Sequence, residues 1–149
     1  YYPIRSAADV PGAVDQFITD TWFVRNTRFS LFGMDKVSSP AYEYFFTREG
    51  NIPGLGAHHA AEIPYAFNTN EEELDAAGQK LADAMIQYWV SFATDGNPNV
   101  DGLPVWPQFD PDKQQYLQLG DVITTGAKLR EAACDAWDEV LDAELTVAN

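Results

Sequence analysis

Clusters of Pro, Gly and Asn divide the chain into segments with different hydrophobic spacing. From about Gly12 to Phe32 the apolar side chains Val14, Phe17, Ile18, Trp22, Val24, Phe29 and Phe32 recur at mostly helical intervals. The spacing predicts a helix, with Gly33 as its stop. Ala41 to Thr47, after Pro40, is short, aromatic-rich and nearly continuous in apolar character. That pattern predicts a strand buried on both faces, as in a sheet covered by helices. A Gly- and His-rich loop is expected from about Arg48 to Asn70. A second helix is expected to open on Glu71, Glu72 and Glu73, whose carboxylates suit the positive end of its dipole. Its apolar stripe is Leu74, Ala77, Leu81, Met85, Tyr88, Trp89 and Phe92, and Asp95-Gly96-Asn97-Pro98 ends it. Trp106 to Asp110 reads as an ordered loop and Gln115 to Leu119 as a short strand. A last helix is expected from about Ala127 to Leu145, with Leu129, Ala133, Trp137, Val140, Leu141 and Leu145 on one face.

The order helix, strand, loop, helix, strand, helix predicts an α/β architecture of about two sheet strands and three main helices. Two strands do not make a sheet that can cover three amphipathic helices and hide a two-sided strand. The pattern therefore describes part of a sheet. The whole chain, 1–149, reads as one piece, and at 149 residues it could bury roughly 70% of its unfolded surface. It opens Tyr1-Tyr2-Pro3-Ile4 without an initiator Met, as expected of a processed chain or the tail of a longer one.

Charge narrows the function. Nine basic against 23 acidic residues give a net charge of −14, which argues against a nucleic-acid partner. The longest apolar runs fall far short of the roughly 20 residues that span a bilayer, so no membrane partner is expected. The first residues do not read as a basic-then-apolar leader, so none is expected in this stretch. Cys134 is the single cysteine, which excludes an intrachain disulfide and a cysteine-based zinc site.

Candidate chemistry is sparse. The serines, Ser6, Ser30, Ser38, Ser39 and Ser91, all lie outside a G-x-S-x-G turn. Cys134 sits mid-helix and is expected to be a buried structural cysteine rather than a nucleophile. The two histidines, His58 and His59, are adjacent in a glycine-bracketed loop that follows a strand. Imidazole is the usual general base for an alcohol nucleophile near neutral pH. Two solvated surface histidines are the plain alternative. A metal reading would use His58, His59 and Glu62, but no further histidine is available to complete it. Asp20, within an aromatic-rich helix, is expected to be a buried hydrogen-bonding carboxylate. The aromatic stripes read as core.

The stretch Gly56-Ala57-His58-His59-Ala60-Ala61-Glu62-Ile63-Pro64-Tyr65-Ala66-Phe67 resembles the histidine segment of type B carboxylesterases, the family of carboxylesterases, cholinesterases and para-nitrobenzyl esterases. Further landmarks follow in the family's order. Tyr42 to Phe46 is similar to the preceding strand, and Tyr88-Trp89 with Phe92-Ala93-Thr94-Asp95-Gly96-Asn97-Pro98-Asn99 to a Y-W-x-x-F-A-x-x-G-N-P-N segment. Trp106-Pro107, Tyr116 to Leu119, and the pair Cys134 and Trp137 continue the register. The resemblance implies the C-terminal part of an α/β-hydrolase fold and hydrolysis of a small carboxylic ester by a Ser–His–acid triad, without cofactor or metal. It assigns the triad histidine to His59, which lies three residues before Glu62.

The family's serine, oxyanion-hole glycines and triad acid lie upstream of the matching segment. The resemblance thus implies a partner, the upstream part of the hydrolase, and an inactive chain in isolation. An isolated chain should expose apolar surface and self-associate. Arg25 stands where many secreted relatives carry the cysteine that bridges to the position of Cys134. Three alternatives stay open at this point. One is a noncatalytic, adhesion-like interaction module of the same fold. Another is an inactive truncated fragment. The third is an independent α/β domain in which Asp20 orients His59.

Overall fold

The computed structural model describes residues 1–50, 52–69 and 74–147, with side chains in the last helix described through residue 141. It separates into two compact units, residues 1–38 with 128–149, and residues 39–127.

The first unit is helical. A single 3-10 turn, Ala7–Asp9, leads into α1 (Val10–Ile18), a π-helical turn (Thr19–Val24) and α2 (Arg25–Met34). The predicted first helix is therefore present but longer, and it is interrupted by a wider turn at Asp20. Gly33 is not its stop. The helix runs through Gly33 and closes on Asp35, whose N–H reaches Leu31 O at 3.2 Å. The last helix, α5 (Glu131–Val147), starts four residues later than its apolar pattern suggested. Lys128 and Arg130 adopt left-handed φ of 55° and 53°, which a continuous helix cannot include. Phe17 packs edge-on against Tyr2 and Trp137, with ring centroids 5.8 and 5.4 Å apart.

The apolar stripe of this unit does not all become core. Val24 and Leu31 are buried, whereas Trp22 and Phe29 are 68% and 74% exposed. Val10, Val14 and Ile18, one helical turn apart, are exposed as well.

The second unit holds the sheet. β1 (Tyr44–Phe46) pairs in parallel with β2 (Gln115–Leu119), and β2 pairs antiparallel with β3 (Thr124–Ala127). Among the described residues the sheet has three strands, where the pattern predicted about two. The third, Thr-Thr-Gly-Ala, is too short and too weakly apolar to announce itself. The residues expected to begin the last helix at Ala127 are the end of this strand. β1 lies at one edge of the sheet, and Tyr44 is 37% exposed, so the strand expected to be buried on both faces is not so within this chain.

Between β1 and β2 run a short helix α3 (Ile63–Phe67), inside the predicted loop, and the long α4 (Ala76–Asp95). Glu71, Glu72 and Glu73, expected to open α4, lie outside the described residues. The cap is Asp75, whose short carboxylate accepts the Gly78 N–H at 2.7 Å. Gly96, at φ 71°, ends the helix as predicted. Leu81, Met85 and Tyr88 of α4 pack on Leu117 and Leu119 of β2, with Trp106 and Tyr65 completing the core. Trp106 fulfils the ordered-loop expectation. Its indole N–H donates to Glu43 O at 2.8 Å, and its backbone is bracketed by both ends of the Asn99 amide. No helix among the described residues is long and apolar enough to cross a membrane.

Candidate functional site

The histidine loop leaves the C-terminal end of β1, where side chains in a parallel sheet are best presented to a ligand. Gly50 N–H donates to Gly56 O at 2.8 Å, so the first half of the loop closes on itself. His58 and His59 come next in the chain. The ring of His58 is half-buried, and its Nδ1 lies 3.0 Å from His59 O. A carbonyl only accepts, so Nδ1 carries the proton. Its Nε2 is buried without a hydrogen-bond partner among the described residues. A Cβ at Gly50 would overlap that nitrogen and the methyl of Ala61, so this close approach requires glycine. His58 is thus a packed residue of the loop, not the solvated one that the plain reading expected.

His59 is exposed at the adjoining turn. The next residue, Ala60, sits at φ 69°, a left-handed conformation that costs a non-glycine residue roughly 1 kcal/mol. Ala61 N–H then returns to His58 O at 3.0 Å, and Tyr65 and Ala66 N–H both reach Glu62 O at 3.0 Å as α3 begins. The strained residue is therefore clamped by hydrogen bonds on both sides. Glu62 accepts a long hydrogen bond, 3.4 Å, from Tyr44 Oη. Burial pushes the Tyr44 hydroxyl up to about 12, with the Glu62 charge adding to it, so it stays a donor.

Behind the loop stands Arg48. Its Nε donates to Tyr65 Oη at 3.0 Å, Nη2 to Asp75 Oδ1 at 2.8 Å, and Nη1 to Asp121. Nothing in the hydrophobic pattern marks this residue. The only signal is a lone arginine at the end of a strand in an acidic chain.

The other candidates resolve differently. Asp20 is fully buried, with Oδ1 and Oδ2 held by the Arg130 fork at 2.8 and 2.6 Å and Oδ2 also accepting from Tyr2 Oη at 2.9 Å. Its carboxylate is committed within the helical unit, as a structural carboxylate would be. Cys134 is fully buried, and burial pushes its thiol up, so it is no nucleophile. Arg25 Nε pairs with Asp138 at 2.7 Å. No group of three or more His, Cys, Asp and Glu among the described residues is arranged to hold a metal ion, and His58, His59 and Glu62 form none. An apolar cavity of about 210 Å³ between β1 and α4 is lined by Tyr42, Tyr44, Tyr88, Trp89, Phe92 and Trp106, not by His59.

Comparison with known proteins points to the same family. A profile of the carboxylesterase family matches residues 3–137. Carboxylesterase 1E of Mus musculus is 41% identical over 122 residues, covering 73% of this chain and 21% of that protein. Pyrethroid hydrolase Ces2e of Rattus norvegicus is 35% identical over 119 residues, covering 69% of this chain and 20% of that protein. The chain thus spans about a fifth of the length of these relatives. A solved PNB esterase superposes with a TM-score of 0.72 at 22% identity, over 91% of this chain and 28% of that one. The fold is that of an α/β-hydrolase, and the sheet here is an incomplete one.

Proposed function

The chain belongs to the carboxylesterase family, and from that premise we propose that it supplies the triad histidine, His59, of a carboxylic ester hydrolase completed by an upstream segment. In the reaction His59 takes the proton of the serine as its oxygen attacks the ester carbonyl. It then returns a proton to the departing alcohol and activates the water that releases the acid. The carboxylate that orients its imidazole, the serine and the oxyanion hole come from the upstream segment. The substrate is a small carboxylic ester.

The observation that carries this reading is an exposed imidazole on a backbone-locked turn at the C-terminal end of a parallel strand. Among the described residues no strand pairs with the outer edge of β1, and this edge and the exposed stripe of Val10, Val14, Ile18 and Trp22 support completion by further chain. An unpaired edge and a contiguous apolar face are what a missing sheet and its helices would cover.

An intact-mass measurement with a p-nitrophenyl ester assay on the same sample tests it. Activity is expected only when the upstream segment is present, and hydrolysis by residues 1–149 alone would sink the proposal. In the complete hydrolase, His59→Ala should lower kcat by several orders of magnitude, leaving about 10³–10⁴ over water. His58→Ala should cost far less, and a reversed order would move the role to His58.

A further inference from the structure

We propose that Arg48 is a positioning residue for the histidine loop, a role that rests on the reading of His59 as the general base. Arg48 lies two residues beyond β1, and Tyr65 lies in α3, so the two bracket the segment that holds His59. One side chain therefore ties the start of the loop to its end. The Arg48 side chain is 14% exposed, and its Nε donates to the hydroxyl of Tyr65, a residue that is 7% exposed overall. The same group lies 5.9 Å from the centre of the Tyr65 ring, so charge and ring also attract.

The remaining donors reach further. Nη2 donates to Asp75, the carboxylate that caps α4, and Nη1 to Asp121 just beyond β2. Strand end, short helix, long helix and β2 loop thus converge on one planar fork. Asp75 and Asp121 are 66% and 71% exposed, and such outer pairs contribute little stability. The sheltered bond to Tyr65 is the part that fixes geometry. Closing a loop of this length through a flexible contact would leave His59 several accessible positions. A rigid fork anchored on the sheltered Tyr65 hydroxyl leaves few. Proton transfer to His59 needs hydrogen-bond geometry, and a 1 Å misplacement costs about 10²-fold in rate.

The experiment compares Arg48→Met, Arg48→Lys, Tyr65→Phe and His59→Ala in the complete hydrolase. In the Arg48 and Tyr65 variants active sites are counted by stoichiometric reaction with p-nitrophenyl diethyl phosphate, and kcat is expressed per titrated site; for His59→Ala, kcat is expressed per mole of folded protein. Arg48→Met is expected to lower that kcat by about 10- to 100-fold while KM stays within about twofold. Arg48→Lys should recover part of the loss, and Tyr65→Phe, which keeps the ring but removes the acceptor, should lose less than Arg48→Met. A fold defect alone would reduce the number of titrated sites and leave kcat per site unchanged, which would overturn the proposal. If Arg48→Met does not accumulate as folded enzyme, Tyr65→Phe decides: unchanged kcat per site overturns the proposal, and a loss supports it. An inactive His59→Ala beside a fully active Arg48→Met would overturn the positioning role alone. A fully active His59→Ala would overturn the general-base reading and the positioning role with it.

Discussion

Asp20 in the helical unit and Glu43 in the sheet unit are both buried carboxylates, 0% and 7% exposed. Asp20 has both oxygens occupied, by the two nitrogens of the Arg130 fork and by the hydroxyl of Tyr2. Tyr2 in turn accepts the indole N–H of Trp137 at 2.9 Å, so the network closes without a loose end. Glu43 alternates with Tyr42 and Tyr44 at the start of the edge strand, and no basic side chain among the described residues pairs with it. Burial alone lifts its carboxyl from 4.5 to about 7. The nearby Tyr116 hydroxyl is raised by burial and, secondarily, by the Glu43 charge. A buried charge is tolerated when its partners are supplied locally and shifts toward neutrality when they are not. The helical unit carries its own partners for Asp20. The sheet unit leaves Glu43 beside an edge that, on the proposed reading, further chain would cover.

Breaking the Asp20 network should have the largest effect. Arg130→Met strands a fully buried carboxylate, and a loss of about 3–5 kcal/mol in urea unfolding is expected. Replacing both partners, Asp20→Leu with Arg130→Met, should recover most of it, because no uncompensated charge then remains buried. A loss under about 1 kcal/mol for the single change would mean that the fork does not hold Asp20.

Glu43 should sharpen the contrast through pH. Between about 4.5 and 7 the folded chain holds a proton on Glu43 that the unfolded chain releases. Stability from this group is therefore complete below about 4.5 and is lost as pH rises through about 7. The loss is at most about 3 kcal/mol. Melts from pH 5 to 8 should show this decline in the native chain and a flatter profile in Glu43→Gln. Equal slopes would place the titrating group elsewhere.

The smallest effect is expected at the rim of the Asp20 network. Tyr2→Phe keeps the ring against Phe17 but removes one hydrogen bond to Asp20 and the acceptor for Trp137. A loss of about 1–2 kcal/mol should appear in the same unfolding measurement. No loss would mean that the Arg130 fork alone satisfies Asp20.

The periodicity of apolar residues is a local property, and the elements that rest on it are present: α4 with its stop at Gly96, the strand at Gln115–Leu119, and the long first helix. Elements that depend on neighbours were not legible. β3 has almost no apolar signal and exists because β2 offers it a ladder. The stop expected at Gly33 fails because the chain makes no left-handed turn there, and the helix continues to its cap at Asp35. α4 starts at Ala76 because a cap requires one short acceptor at one position, Asp75, whereas acidic residues suit a first turn generally.

The same division holds for the site. His59 is a candidate already in the sequence, as a chemistry-bearing residue at a fixed distance from Glu62 within an order of landmarks that resembles the family's. That Asp20 would be a satisfied structural carboxylate was legible from its aromatic surroundings. Three-dimensional contacts alone decided what surrounds the loop: His58 packed on Gly50, Ala60 held left-handed, and Arg48 drawn onto Tyr65, Asp75 and Asp121. These partners lie up to 73 positions apart in the chain. Side chains separated by that distance are unrelated in any local pattern, and only packing of the sheet against its helices brings them within hydrogen-bonding reach.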